Sequence, residues 1–168
     1  MHDLEKYAAE CMAELDRLRI PYAKHVRFSV NNRAVMRLGQ CRKHGDEYLI
    51  EISAALIDER VDIKRGLKCT LHHELLHTCR GCMKHTGRWK LYADRVNAAY
   101  GYDIRRVAEQ KDGVLPEDLK PKAKYLIRCE RCGAEYPRQK MTAVVRHPEN
   151  YRCRCGGRLF DPAKKAER

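Results

Sequence analysis

The chain has 168 residues, of which 43% are hydrophobic and 35% charged, and carries a formal net charge of +12. That length supports one sizeable core with a small appended module, not two full domains. No apolar run approaches the roughly 20 residues a membrane-spanning helix needs, so none is expected in this sequence.

The N-terminus, Met1-His2-Asp3-Leu4-Glu5-Lys6, lacks the basic start and apolar stretch of a signal peptide. A cytoplasmic location is therefore expected, and it is compatible with nucleoid association. In that reducing compartment nine cysteines, an odd number, point to metal ligation or free thiols rather than disulfides. From Leu4 the apolar residues Ala8, Cys11, Met12, Leu15 and Leu18 recur at helical intervals, predicting an amphipathic helix over 3–19 that stops before Pro21. Three β-prone runs follow, Val26–Val30, Ala34–Gly39 and Tyr48–Ile52, broken by Asn31-Asn32 and His44-Gly45-Asp46. They predict a three-stranded antiparallel meander. A second helix is expected from Asp62 to Cys79 and a third over 87–99, around Trp89, Leu91, Tyr92 and Val96. The Gly- and Pro-containing stretch 110–123 is expected to be a linker.

The second helix contains His73-Glu74-Leu75-Leu76-His77. Helical residues four apart differ by only about 40° in azimuth, so His73 and His77 share a face and reach one ion. Glu74 falls beside that face. There it suits a general base that deprotonates a water whose pKa the ion lowers toward ~7. A hydrolytic zinc needs a third protein ligand, and His85 is the leading candidate: it follows His77 after Gly81, where the helix can end and the chain turn back. Asp94 and the pair Cys79 and Cys82 are the alternatives. Thiolates dampen Lewis acidity, so Cys79 and Cys82 are expected to be packing residues. His72 lies about 100° away from His73 and is read as a neighbour, not a ligand.

Near the C-terminus, Cys129-x-x-Cys132-Gly133 and Cys153-x-Cys155-Gly156 form two pairs separated by twenty residues. This is a structural-zinc pattern, and a segment so short needs the ion to fold. His147 is an alternative ligand should the tight C-x-C spacing strain the site. Residues 124–168 hold 12 Lys/Arg against 5 Asp/Glu. Arg131, Arg138, Lys140, Arg152 and Arg154, interleaved with Tyr125, Tyr136 and Tyr151, suggest nucleic-acid contact through phosphate charge and base stacking. A protein-docking ribbon is the plainer reading.

The order of these elements resembles the SprT-like zinc metallopeptidases, relatives of the DNA-protein crosslink protease Spartan. The matching pieces are Val26-Arg27-Phe28, Leu38-Gly39-x-Cys41, Ile50-Glu51-Ile52-Ser53, the HExxH string with His85, Trp89-Lys90 and the cysteine ribbon. The resemblance implies an α+β fold with a zincin-like domain over 1–109, a linker over 110–123, a zinc ribbon over 124–161 and a basic tail over 162–168. It also implies two zinc ions, one catalytic on His73, His77 and His85 with Glu74 as acid/base, and one structural on Cys129, Cys132, Cys153 and Cys155. The implied activity is that of an endopeptidase for proteins at or near DNA, with substrate held along an edge strand of the sheet. The alternative is a nucleic-acid-binding regulator whose histidine site is structural or vestigial.

Overall fold

The computed structural model describes residues 1–34, 37–106, 114–120 and 122–165. The chain forms two compact units, Met1–Lys120 and Pro121–Arg168, in a mixed α+β architecture.

In the first unit, helix α1 (Leu4–Arg17) starts where the Asp3 side chain accepts a hydrogen bond from the Lys6 N–H, and it buries Leu4, Ala8, Cys11 and Leu15 along one face. Strands β1 (Val26–Asn31), β2 (Gly39–His44) and β3 (Glu47–Ser53) form one sheet in the order β1-β3-β2. The pair β2/β3 is antiparallel, turning at Gly45 with φ 61°, but β1 and β3 run parallel, Val26 opposite Tyr48 and Asn31 opposite Ser53. The expected antiparallel meander is thus corrected, and so is its second strand, which begins at Gly39 rather than occupying Ala34–Gly39. The reason is burial. β3 carries Ile50 and Ile52, both fully buried, and takes the centre. Leu38 is spent on the core, 5% exposed, and its carbonyl accepts from the Ser53 N–H at 2.8 Å, so the chain after it emerges on the far edge of β3. Val35 and Met36 lie outside the described residues.

A π-helical segment, Ile63–Lys68, capped by Asp62, runs without a break into α2 (Cys69–His77). Every residue of α2 from Thr70 to His77 is buried. Helix α3 (Arg88–Tyr100) contributes Trp89, Ala93 and Val96 and stops at Gly101, whose φ of 66° is left-handed. Val114 and Leu115 are also buried in this core, and Asp118 pairs with Arg60 at 3.1 Å. Much of the described part of the expected 110–123 linker is therefore packed structure; residues 110–113 and Pro121 lie outside the described residues.

The second unit is a small sheet ordered β5-β4-β6, from β4 (Tyr125–Cys129), β5 (Glu135–Arg138) and β6 (Leu159–Phe160). Its own core gathers Ile127, Val145 and Leu159 around Cys129 and Cys153. Among the described residues, no helix is long and apolar enough to cross a membrane.

One polar cluster ties α1 to α2. The Glu14 carboxylate, 8% exposed, meets Lys68 Nζ at 2.5 Å, His72 Nε2 at 2.8 Å and the Tyr102 hydroxyl at 2.9 Å. Burial alone would raise the Glu14 carboxyl, but these hydrogen bonds outweigh it and lower it to about 2. Burial holds His72 neutral by lowering it, so its Nε2–H donates to Glu14. Replacing Glu14 with Gln is expected to cost the first unit about 3 kcal/mol at neutral pH. Because the folded carboxyl lies below its ordinary 4.5, that contribution is complete above this pH and is lost as pH falls toward about 2. Wild-type and Glu14→Gln unfolding midpoints, read from the fluorescence of Trp89, the chain's one tryptophan, should converge over that interval.

Candidate metal centre

Helix α2 places His73 and His77 one turn apart, and the loop that leaves it at Gly81, with φ 80°, brings His85 back to them. The three Nε2 atoms converge: His85 lies 2.9 Å from His73 and 3.0 Å from His77. Tetrahedral ligands ~2.0–2.1 Å from a zinc ion sit only slightly farther apart than this. Two of the rings have a further backbone partner. His77 Nδ1 is 2.9 Å from the Cys82 carbonyl, and the His73 ring is hydrogen-bonded by the Arg105 backbone. An Nδ1–H donated to a carbonyl leaves Nε2 as a lone pair directed at the common point, which is the tautomer a metal requires. Burial lowers all three imidazoles, His73 to about 3 with help from the neighbouring His77 and His85. The donor set and its geometry fit zinc.

Trp89 fills the space behind the cluster, its ring 4.7, 5.0 and 5.7 Å from those of His85, His73 and His77. On the open side lies a cavity of about 320 Å³ onto which Arg37, Gln40, Cys41, Glu74 and Met83 face together with the histidines. Glu74 is 6% exposed, and burial raises its carboxyl to about 7 against the lowering effect of the Cys41 N–H and of Arg37. Strand β2 passes unusually close here. A Cβ on Gly39 would come within 2.7 Å of Glu74 Oε1 and 2.8 Å of Thr70 Cγ2, so only glycine lets the strand touch this helix.

In the second unit the four thiols of Cys129, Cys132, Cys153 and Cys155 lie within 4.8 Å of one another, with Cys129 and Cys155 3.6 Å apart and Cys132 and Cys153 likewise 3.6 Å apart. Zn–S bonds of ~2.3 Å in a tetrahedron demand about this spacing. Gly133 and Gly156, with φ 71° and 82°, turn the chain just after each pair. The Tyr136 hydroxyl is 2.9 Å from Cys153 Sγ and, with the Cys155 backbone, lowers that thiol to about 6, favouring the thiolate a metal takes.

Residues 5–110 match the SprT-like family. The chain belongs to it. The matched span takes in the three histidines, Glu74 and the strands beside them, while the ribbon of this SprT-like protein lies outside it. A comparison with curated proteins gives no match.

The histidines and the four cysteines singled out from the sequence of this SprT-like chain are each brought together as a group. The rival ligands are not: Asp94 is exposed on α3, Cys79 and Cys82 are buried in the core, and His147 sits 3.3 Å from Glu149. Among the residues considered for nucleic-acid contact, Arg131, Lys140, Arg152 and Arg154 are exposed and Arg138 is half-buried. Arg131 and Arg152 already donate to backbone carbonyls, Arg131 to Cys155 at 2.9 Å and Arg152 to Glu149 at 2.9 Å. Of the three interleaved tyrosines only Tyr151 is exposed. Sequence reasoning did not find the backbone groups of Cys41, Cys82 and Arg105, because a backbone carbonyl or N–H leaves no mark in composition. It placed Trp89 in a helix without recognising it as the wall of the site.

Trp89 supplies a local reporter. Co²⁺ added to metal-free protein should quench its fluorescence, and His85→Ala should weaken that quenching by about 100-fold or more in affinity, while the cobalt–thiolate absorption of the ribbon stays unchanged.

Proposed function

We propose that this SprT-like protein is a zinc-dependent endopeptidase with a zincin-like catalytic domain, acting on proteins at or near DNA. The observation that carries the reading is a buried carboxylate, Glu74, facing the same open cavity as three imidazoles whose lone pairs converge. His73, His77 and His85 would hold a zinc ion, which when bound would supply Lewis-acid polarisation of the scissile carbonyl and acidification of water.

The chain's own residues do the rest. Glu74 accepts the proton of the attacking water and delivers it to the leaving amine, acting as base and then as acid. The Cys41 N–H fixes the carboxylate's orientation, and Gly39 allows the strand carrying that N–H to lie against α2. β2 is an edge strand beside the cavity. A substrate in extended form can continue the sheet there through main-chain hydrogen bonds, which makes recognition tolerant of sequence. In the ribbon, four thiolates around a second zinc ion would supply folding energy that its small core lacks. Its exposed cations Arg131, Lys140, Arg152 and Arg154 would meet DNA phosphates, which suits a protein of the cytoplasm or nucleoid.

Glu74→Gln is expected to retain both metal ions and to lower cleavage of a DNA-bound protein by at least ~10²-fold, with metal content measured alongside peptide hydrolysis. Loss of metal with activity would count against a role as base. Wild-type protein that carries both ions, binds DNA and cleaves nothing would be a nucleic-acid-binding regulator instead. For the ribbon, Arg152→Glu with Arg154→Glu should flatten the dependence of log K on log salt by about one for each phosphate no longer neutralised. An unchanged slope in a DNA titration would make the ribbon a protein-docking module.

A further inference from the structure

Away from the metal cavity, the first unit contains a second cavity of about 470 Å³. Its walls come from the π-helical segment before α2, through Lys64, Arg65 and Cys69, and from the chain just past α3, through Gly101, Tyr102, Asp103 and Arg105. The volume falls in the range of small-ligand sites, ~300–1,000 Å³. None of the histidines or Glu74 faces it.

Its charges are unequally committed. Asp103 is paired with Arg105 at 2.7 Å, so these two leave little net charge on the wall. Lys68, behind Tyr102, is held by Glu14 at 2.5 Å and Glu10 at 3.2 Å. The Tyr102 hydroxyl is spent on Glu14. What remains is Lys64 and Arg65, both exposed, neither of which has a carboxylate partner among the described residues. Lys64 Nζ is 5.7 Å from the centre of the Tyr102 ring, and a Cβ on Gly101 would come within 3.2 Å of it. The bare glycine and the ring together seat the ammonium at the cavity wall. A concave site with an uncompensated ammonium and guanidinium selects an anion with several acceptor oxygens: the guanidinium takes two oxygens as a fork and the ammonium takes a third as a point charge.

We propose that this cavity binds a phosphate group, held by Lys64 and Arg65. The group is carried either by a small phosphorylated molecule or by a nucleic-acid backbone. Neither Lys64 nor Arg65 touches the metal centre, although Arg105 in the cavity wall also supports His73 through its backbone, and the proposal stands whether or not the protein cleaves peptides.

The test is calorimetric titration of the full-length protein, both metal sites filled, with inorganic phosphate, adenosine monophosphate and a single-stranded oligothymidine. Each is compared with Lys64→Glu, Arg65→Glu and the double variant. Both side chains are exposed, so folding should be retained, checked by the Trp89 unfolding midpoint and by metal content. Binding that weakens by about tenfold or more in each single variant and further in the double is expected, and Arg65→Lys should recover part of it. If phosphate or the mononucleotide shows this weakening, the ligand is a small phosphate; if only the oligonucleotide does, it is a nucleic-acid phosphodiester. Binding that is the same in the double variant belongs to the zinc ion or the ribbon and overturns the proposal. So does the absence of binding by all three probes at a Kd below ~10 mM.

Discussion

Helix α2 is buried on every side, and the rest of the first unit is arranged around that constraint. A helix with no solvent face must present apolar residues to each neighbour, and Leu71, Leu75 and Leu76, all with 0% exposure, do so. Its polar residues must each find a partner or a function. His72 is answered on Nε2 by Glu14 from α1, while its Nδ1 has no partner among the described residues. His73 and His77 are answered on one nitrogen by backbone groups and on the other only by each other and by His85. Nε2 of His85 lies 2.9 and 3.0 Å from those of His73 and His77, a spacing at which a shared proton or a cation must offset the repulsion of the ring lone pairs. The fold thus gathers three ring nitrogens in an arrangement that fits a metal ion.

Orientation is supplied before any ion arrives. The Cys82 and Arg105 backbone groups set the tautomers, and Trp89 restricts how the rings can turn. The same economy applies to Glu74, which is held by a strand N–H made accessible by a glycine. Burial keeps that carboxyl's affinity for a proton high, which suits the base proposed above. These supports come from four separate stretches of chain, so damage to any of them acts on the chemistry without touching a ligand.

The ribbon solves the opposite problem. Its unit has few buried side chains among the described residues, and the four thiols, followed by turns at Gly133 and Gly156, are gathered where a metal ion would make up what it lacks in apolar area. Its cations Arg131, Lys140, Arg152 and Arg154 stay at the surface, where water solvates them. The proposed phosphate cavity places a second set of uncompensated cations in the first unit, so attraction for phosphate need not be confined to the ribbon.

The grouping of the candidate ligands was legible in the sequence by itself. Spacing along a helix fixes the mutual position of His73 and His77, a glycine turn announces the return of His85, and two cysteine pairs define a four-thiol cluster; each is local geometry within about a dozen residues or a repeated short unit. The three main helices were legible for the same reason, since apolar periodicity is written in consecutive residues. The sheet was not. Strand order depends on which strand buries both faces, and only the packed core reveals that β3 takes the centre with β1 parallel to it and β2 left at the edge beside Glu74. Likewise only tertiary structure decided that Val114 and Leu115 belong to the core, and that Lys64 and Arg65 meet Gly101 and Tyr102 across a cavity. Those pairings join residues far apart in the chain, and side-chain pattern carries no record of where the backbone will bring them together.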